Sequence, residues 1–294
     1  MYHDPVLLKE SVDALSIKPD GVYVDVTFGG GGHSREILKR LDKGKLIAFD
    51  QDPEAKKNAI DDPRFTLVEQ NFRYMKNWVR LQGHSSVDGI LGDLGVSSHQ
   101  FDSTSRGFSI RFDAGLDMRM DMKGKLTAAD IVNAYEENQL ISILRMYGEV
   151  DHARAITRSI ISARPIQTSG ELKKAIDRHL MRGKEHKLLA QVFQALRIEV
   201  NGELDVLKEM LTQSAEILNT HGRLSIISYH SLEDRLVKDF MKTGNFEGEP
   251  QKDFFGNLQR PLKPVQTKPI VPTADEIEKN NRARSAKLRI AEKI

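Results

Sequence analysis

The fold is decided by a glycine-rich stretch near the start of the chain, residues 25–34, which read DVTFGGGGHS. The stretch overlaps a short β-branched run, residues 21–26, which predicts a buried strand. Downstream, Ile37, Leu38 and Leu41 recur at the spacing of one helix face. A strand, a glycine-rich turn and a helix together form the entrance to many nucleotide sites. The glycines let the backbone approach the ligand, and the helix N-terminus offers free N–H groups.

The rest of the chain extends this entrance into a sheet. Further strand candidates are residues 46–49, 65–68, 87–91 and 223–228. Helical signals begin near Pro53 and cover roughly residues 203–218, where residues 219–222 are expected to end the helix. Alternating strands and helices predict a mostly parallel sheet with helices on both faces. Residues 253–273 hold four prolines and are expected to run extended over the surface.

One segment departs from this alternation. Between about residues 125 and 183 the strand signal disappears, and residues resembling capping boxes at Thr127 and Thr168 predict helix starts. We therefore expect residues 125–183 to form an inserted helical domain that recognises the substrate. Residues 1–124 and 184–294 are expected to form the α/β domain around it.

The composition excludes several classes of protein. Hydrophobic residues make up 39% and charged residues 29% of the 294 positions, which supports a folded core. No apolar run approaches the ~20 residues of a membrane helix, and the N-terminus is unlike a signal peptide. The absence of cysteine excludes disulfides, thiolate metal sites and cysteine nucleophiles. These features predict a cytoplasmic protein without a membrane partner.

The net charge of +2 conceals an uneven distribution. Residues 144–199 carry 11 basic and six acidic side chains, and residues 256–294 carry nine basic and four acidic ones, so each segment is +5. The remaining two segments, residues 1–143 and 200–255, are each −4. Two basic segments are compatible with a polyanionic partner, and solvated helix faces are the alternative.

The residues around the glycine loop indicate which ligand it holds. Asp50 ends the second strand 21 residues after Gly29, the position from which an acidic residue accepts hydrogen bonds from a ribose diol. Ser34 stands where a dinucleotide loop has its third glycine. S-adenosylmethionine has a ribose and no pyrophosphate, so it fits this departure better than a dinucleotide does. A flexible turn without a ligand is the alternative.

Two further side chains follow strands at the same edge of the sheet. Asp93 comes after the fourth strand and can reach the adenine amino group or the methionine end of such a cofactor, with a turn or helix cap as the alternative. Phe72 follows the third strand, where it can pack on adenine or belong to the core.

The sequence resembles the bacterial small-subunit ribosomal RNA cytosine-N4 methyltransferases, the RsmH/MraW family. The resemblance spans essentially the whole chain. It rests on residues 3–8 (HDPVLL), 25–34 (DVTFGGGGHS), 93–98 (DLGVSS), 116–121 (LDMRMD), 228–235 (SYHSLEDR) and 282–285 (RARS).

The resemblance implies a Rossmann-like class I methyltransferase fold. It also implies S-adenosylmethionine-dependent methylation of the exocyclic N4 of a cytidine in the decoding region of 16S rRNA. The partner would be 16S rRNA or the small ribosomal subunit, and the sequence leaves a homodimer open. By motif position, the cofactor contacts would be Gly31, Gly32, His33, Asp50, Phe72, Asp93 and Gln100.

The chemistry calls for an acceptor of the amino proton. The N4 lone pair is delocalised into the cytosine ring, so alignment with the methyl group and a proton acceptor are needed, and a metal is not. Asp93 is the candidate acceptor, while His230 and Ser231 follow a strand and are candidates for binding the cytosine edge. A structural role is the alternative for His230, and helix capping is the alternative for Glu233 and Asp234. Without cysteine, the covalent route to cytosine C5 is closed, whereas ribose methylation is not excluded.

Basic side chains are the candidates for holding RNA. The main candidates are Arg119, Arg154, Arg158, Arg235 and Arg284. Further candidates are Lys174, Arg178, Arg182, Arg282, Lys287 and Arg289. For Arg119 the alternative is an ion pair with Asp117 or Asp121. For Arg284 and its neighbours the alternative is an edge strand.

Two other functions remain open from the sequence. A nicotinamide-dependent oxidoreductase could use the same strand, loop and acidic residue, although the missing third glycine argues against it. A non-catalytic rRNA-binding or assembly factor could retain the cofactor pocket.

Overall fold

The computed structural model describes residues 5–96, 106–110, 112–180, 183 and 185–294. The chain divides into two compact units, one made of Met1–Gly95 with Leu204–Ile294 and the other of Val96–Glu203. Among the described residues, no helix combines the length and apolar character needed to cross a membrane.

The elements follow one another along the chain. The strands are β1 (Val22–Asp25), β2 (Lys45–Phe49), β3 (Phe65–Val68), β4 (Val87–Asp93), β5 (Leu218–Ser228), β6 (Leu262–Pro264) and β7 (Lys287–Lys293). The described α-helices are α1 (Leu8–Asp13), α2 (Gly32–Arg40), α3 (Met75–Leu81), α4 (Ala128–Ala134), α5 (Glu137–Met146), α6 (Ala153–Ser162), α7 (Ser169–Ile176), α8 (Glu185–Asn201), α9 (Glu203–Ile217), α10 (Ser231–Thr243) and α11 (Ala274–Lys279). Short 3-10 helices cover Pro53–Asn58, Phe72–Tyr74, Asp177–His179 and Asn281–Ser285.

The first unit is built on a sheet in the order β3-β2-β1-β4-β5-β7-β6. Strands β1 to β5 are mutually parallel. Strand β7 runs antiparallel to both of its neighbours, β5 and β6. This mostly parallel arrangement confirms the predicted Rossmann-like class I methyltransferase fold.

Helices cover both faces of this sheet, as predicted. Tyr23 and Val24 are adjacent in β1 and both fully buried, and successive strand residues point to opposite faces. Tyr23 packs with Ile37 of α2 and with residues of α1. Val24 belongs to a separate cluster that includes Met210 of α9 and Phe240 of α10. Burial on both sides of the sheet explains why Val22, Tyr23 and Val24 of β1 form an uninterrupted run of hydrophobic residues.

The start of β5 differs from the prediction. Residues 219–222 do not simply end helix α9, because β5 already begins at Leu218. Between the pairs Val87–Leu218 and Gly89–Arg223, β5 advances five residues while β4 advances two. The turn-forming residues therefore make a bulge inside the strand, and the bulge absorbs the excess length.

The C-terminal segment also differs from the prediction. The proline-rich tail was expected to run over the surface, but Leu262 is fully buried and β6 forms the edge of the sheet. Strand β7 lies between β5 and β6, so it is not an edge strand. Arg284 precedes it in a 3-10 helix, and the predicted helix near Pro53 is a 3-10 helix as well.

The second unit is helical in its described part, as expected for an inserted module. Capping boxes are complete at Thr127 and Thr168, which confirms the predicted starts of α4 and α7. The core of this unit also contains Met118, which precedes α4, and Leu189 in α8. The unit therefore extends from Val96 to Glu203, and the expected boundaries at residues 124 and 183 lie inside it.

Replacing a core residue of the second unit should destabilise it. Leu144 in α5 is fully buried. We expect Leu144→Ala to lower the free energy of unfolding by about 2–5 kcal/mol, because the cavity cannot fully collapse. Urea unfolding monitored by circular dichroism measures the change. The neighbouring Arg145 is exposed, so Arg145→Ala should change the unfolding free energy little. Equal losses of unfolding free energy in the two variants would contradict the placement of Leu144 in the core of the second unit.

Candidate functional site

The glycine loop between β1 and α2 is braced from outside and open at one position. Gly29 and Gly31 adopt positive φ angles of 50° and 75°, a conformation that favours glycine. Asn58 donates to the Gly29 carbonyl at 3.0 Å, and Arg35 donates to the Gly30 carbonyl at 2.6 Å. A Cβ atom added at Gly29 would meet no heavy atom within 4 Å. The loop is therefore held in shape while leaving space beside Gly29.

The next two predicted cofactor residues pack within the protein. A Cβ atom at Gly32 would lie 2.1 Å from Cγ of Pro5, so glycine is required there by the close approach of the N-terminal segment. His33 is only 5% exposed, and its Nε2 lies 3.2 Å from the Val6 carbonyl. Its Nδ1 lies 3.9 Å from Oδ2 of Asp93. Both residues thus form the wall behind the loop.

Asp50 lies at the end of β2, directly against the loop. Its Oδ2 accepts a hydrogen bond from the Gly29 N–H at 2.8 Å, and its Oδ1 accepts one from the Asp52 N–H at 2.8 Å. Burial raises the pKa of Asp50 to about 6, against the stabilising effect of the two N–H donors. Each carboxylate oxygen has a further lone pair, so Asp50 retains acceptor capacity for a diol.

Asp93 lies at the end of β4 and is held on two sides. The Tyr229 hydroxyl donates to its Oδ1 at 2.7 Å, and its own N–H donates to Oγ1 of Thr27 at 2.6 Å. Burial raises the pKa of Asp93 to about 6. Burial and the neighbouring Asp93 charge raise the pKa of Tyr229 well above its usual value, so this phenol remains a donor.

A buried carboxylate connects the loop to Asp93. Asp25 is fully buried at the end of β1 and accepts hydrogen bonds from the Ser34 hydroxyl at 2.7 Å and the Thr27 N–H at 3.0 Å. The Thr27 hydroxyl in turn accepts a hydrogen bond from the Asp93 N–H, and the Asp93 carboxylate accepts one from the Tyr229 hydroxyl. These supporting roles of Asp25, Thr27 and Tyr229 were not predictable from residue type alone. The available signal was that the residues follow strands inside the stretches that carry the family resemblance.

The SYHSLEDR stretch begins with a helix cap. Nδ1 of His230 accepts from the Glu233 N–H at 3.4 Å, and Glu233 Oε2 accepts from the Tyr229 N–H at 2.9 Å. His230 therefore caps α10 through Nδ1, and Glu233 completes its capping box. Contact of His230 with the cytosine edge stays a prediction. Ser231 is exposed at the first position of α10. The cap also directs Tyr229 toward Asp93.

Asp234 has a different role from the expected cap. It accepts hydrogen bonds from Nε of Arg289 at 2.6 Å and from Nζ of Lys287 at 3.2 Å. These contacts attach α10 to β7, and they lower the pKa of Asp234 against the effect of its burial. Two of the further RNA candidates, Lys287 and Arg289, are thus engaged within the fold.

Phe72 and Gln100 complete the predicted cofactor set. Phe72 begins a 3-10 helix, is half-buried and packs against the core cluster of the sheet. The preceding Asn71 donates to the Gln51 side chain at 2.7 Å, which ties this helix to the residue after Asp50. Contact of Phe72 with adenine stays a prediction. Gln100 lies outside the described residues.

Arg119 forms the ion pair that was the alternative to RNA contact. Its Nε and Nη2 donate to the two carboxylate oxygens of Asp117 at 2.8 and 2.7 Å. Nη1 also donates to the Gly124 carbonyl at 2.7 Å. The guanidinium therefore stabilises the segment before α4.

The other main candidates for RNA contact are exposed. Arg154 and Arg158 lie four residues apart on α6, and Arg158 pairs with Glu137 at 3.1 Å. Arg235 and Arg284 are also exposed. Their contact with RNA stays a prediction. Among the further candidates, Lys174 is exposed, Arg282 is half-buried, and Arg178 donates to the Ser159 hydroxyl. Arg182 lies outside the described residues.

Comparison with known proteins places this chain in a family. The sequence model of the MraW methylase family matches residues 1–294. The ribosomal RNA small subunit methyltransferase H of Flavobacterium psychrophilum is 62% identical over 291 residues, covering 98% of this chain and 100% of that protein. The protein of the same name from Cytophaga hutchinsonii is 59% identical over 298 residues, covering 100% of both chains.

Solved structures are more distant. The crystal structure of an rRNA methylase from Streptococcus thermophilus is 14% identical, covers 97% of this chain and 95% of that chain, and has a TM-score of 0.42. The family match, in contrast, spans the whole chain, and the curated relatives are close to 60% identical. The chain therefore belongs to the MraW methylase family.

Proposed function

We propose that the protein methylates the exocyclic N4 of a cytidine in the decoding region of 16S rRNA, using S-adenosylmethionine. The observation that carries this proposal is 62% identity, over almost the whole chain, to a relative named ribosomal RNA small subunit methyltransferase H. The amino-group target and the decoding region are supported by the family resemblance of the quoted stretches. The absence of cysteine supports an amino group over cytosine C5.

The residues around the loop fit S-adenosylmethionine better than a dinucleotide. The open space beside Gly29 and the remaining acceptor capacity of Asp50 suit a nucleoside. Ser34 is fully buried and bonded to Asp25, so the third-glycine position of a dinucleotide loop is filled. When bound, S-adenosylmethionine supplies an electrophilic sulfonium methyl group. Gly31, Asp50, Phe72 and Asp93 would hold it.

Asp93 is the group that can assist the amino nitrogen. Its Oδ1 accepts from the Tyr229 hydroxyl at 2.7 Å, whereas His33 Nδ1 lies 3.9 Å from its Oδ2, beyond hydrogen-bond distance. An ionised Oδ2 can accept the N4–H, which orients the lone pair toward the methyl carbon. With the cofactor bound to supply the methyl group, Oδ2 would take up the proton that N4 releases. The Tyr229 hydroxyl fixes the carboxylate plane throughout.

Removing Asp50 should weaken cofactor binding. Asp50→Ala removes the acceptor for the ribose and a brace of Gly29, so we expect S-adenosylhomocysteine to bind roughly tenfold to a hundredfold more weakly. Titration calorimetry measures the dissociation constant. Asp61 is exposed, and Asp61→Ala should leave the constant unchanged. Binding of NAD, with no heat from S-adenosylhomocysteine, would favour the oxidoreductase.

Removing Asp93 should stop the chemistry. We expect Asp93→Ala to lower kcat by at least about a hundredfold, the usual contribution of a positioned proton acceptor. Binding to small-subunit particles should persist. The assay uses labelled S-adenosylmethionine and particles that lack the modification, with Asp61→Ala as the control. Failure of the unaltered protein to label any cytidine amino group would instead favour the non-catalytic assembly factor.

Tyr229 should set the pH at which Asp93 becomes active. The phenol stabilises the ionised carboxylate, so Tyr229→Phe should raise the Asp93 pKa further above about 6. As the pH falls, the variant then loses the ionised Asp93 carboxylate at a higher pH than the unaltered protein does. The acid limb of the kcat profile should therefore move to higher pH. The activity lost at pH 6 should exceed that lost at pH 8.

The pH–rate profile of this variant needs a matched control. Tyr135 donates to Glu199 at 2.7 Å in the second unit, which is an equivalent phenol–carboxylate pair. Tyr135→Phe should leave the profile where it is. An unshifted acid limb in Tyr229→Phe would exclude Asp93 as the titrating group.

A further inference from the structure

A short turn before β6 displays two adjacent phenylalanines. Phe254 and Phe255 are 97% and 85% exposed. Their ring centroids lie 5.7 Å apart and the ring planes meet at 87°, so each ring keeps an open face. Scattered exposed apolar residues are ordinary, whereas adjacent large ones mark interaction sites. We name residues 251–259 the Phe-Phe turn.

The turn is held in shape by its own backbone and one side chain. Lys252 and Leu258 form an antiparallel bridge across it. Asp253 Oδ1 accepts from the N–H groups of Phe255 at 2.9 Å and Asn257 at 2.8 Å. The rings therefore project from an ordered turn, which reduces the conformational entropy lost when a partner binds them.

The charge around the turn favours RNA over protein as the partner. Residues 251–270 contain four basic residues and one acidic residue, Asp253, whose oxygens serve the turn itself. Lys252, Lys263 and Lys268 are exposed, and Lys263 lies opposite Glu292 in the pairing of β6 with β7. Lysine is depleted in the cores of protein interfaces. Single-stranded RNA sites, in contrast, combine aromatic rings for base stacking with positive charge for phosphates.

The turn is distinct from the cofactor site. It directly precedes β6, whose Leu262 pairs with Lys293 at the end of β7. The neighbouring Glu292 of β7 pairs with Arg223, on the amino-terminal side of the regular part of β5. Asp93, in contrast, ends β4 at its carboxyl end and pairs with Ile227 near the end of β5. The two sites therefore belong to opposite ends of the sheet.

We propose that the Phe-Phe turn is a second RNA-binding site, which stacks unpaired bases on Phe254 and Phe255. Lys252 and the exposed lysines that follow it hold the adjacent phosphates. The identification of this RNA as ribosomal rests on the proposed function. Binding through the turn contributes affinity for the substrate and takes no part in methyl transfer.

The test separates RNA affinity from chemistry. We expect Phe254→Ala/Phe255→Ala to weaken binding of a short oligouridine about tenfold or more, because stacking is largely independent of base identity. The KM for small-subunit particles should rise, while kcat and S-adenosylhomocysteine affinity stay unchanged. Leu81 is an exposed apolar residue elsewhere in the same unit, so Leu81→Ala is the matched control. Lys252→Gln should weaken binding and reduce the salt dependence of oligouridine binding by about one unit of slope.

Three results would overturn the proposal. One is unchanged affinity of the double variant for oligouridine. Another is a raised KM of the double variant for small-subunit particles together with unchanged oligouridine affinity, which would identify a ribosomal protein as the partner. The third is a concentration-dependent self-association that the double variant loses, which would identify a second copy of the chain. Failure of the proposed function gives a different result from failure of this proposal. The unaltered protein would then methylate no cytidine, while the double variant would still bind oligouridine more weakly than the unaltered protein does.

Discussion

Asp25 is fully buried at the end of β1, where its carboxylate accepts hydrogen bonds from Ser34 and Thr27. Burial raises the pKa of such a group, and each donor opposes that effect. The bond to Ser34 anchors the first turn of α2, and the bond to Thr27 places the hydroxyl that accepts from Asp93. The loop and the candidate proton acceptor thus share one buried support. A change at Asp25 would alter both at once.

The other end of this hydrogen-bond network also supports two features at once. The cap formed by His230 and Glu233 begins α10 and also binds the N–H of Tyr229, whose hydroxyl reaches Asp93. Asp234, one residue further on, attaches α10 to β7 through Arg289. The SYHSLEDR stretch therefore supports the site mainly by holding Tyr229 and the helix in place. Substrate contacts of His230, Ser231 and Arg235 stay predictions.

Much of the fold was predictable because its signals are local. The glycine loop, the capping boxes at Thr127 and Thr168 and the strand at residues 65–68 each depend on neighbours in sequence. Asp50 was also predictable, since its spacing from Gly29 follows from the length of one helix and one strand. The bulge at residues 219–222 was not, because it depends on how β5 pairs with β4. The burial of Leu262 likewise depends on β7, a distant strand.

The sequence by itself determined the fold class, the glycine loop and the family, because periodicity, turn residues and motif spacing are short-range properties. Only the tertiary structure decided what individual motif residues do. Gly32 is required by Pro5, Arg119 is paired with Asp117, and Tyr229 holds Asp93 from 136 positions away along the chain. Hydrogen bonds and close packing act over a few ångströms in space, whatever the separation in sequence. A residue's type and position therefore do not reveal which partner it meets.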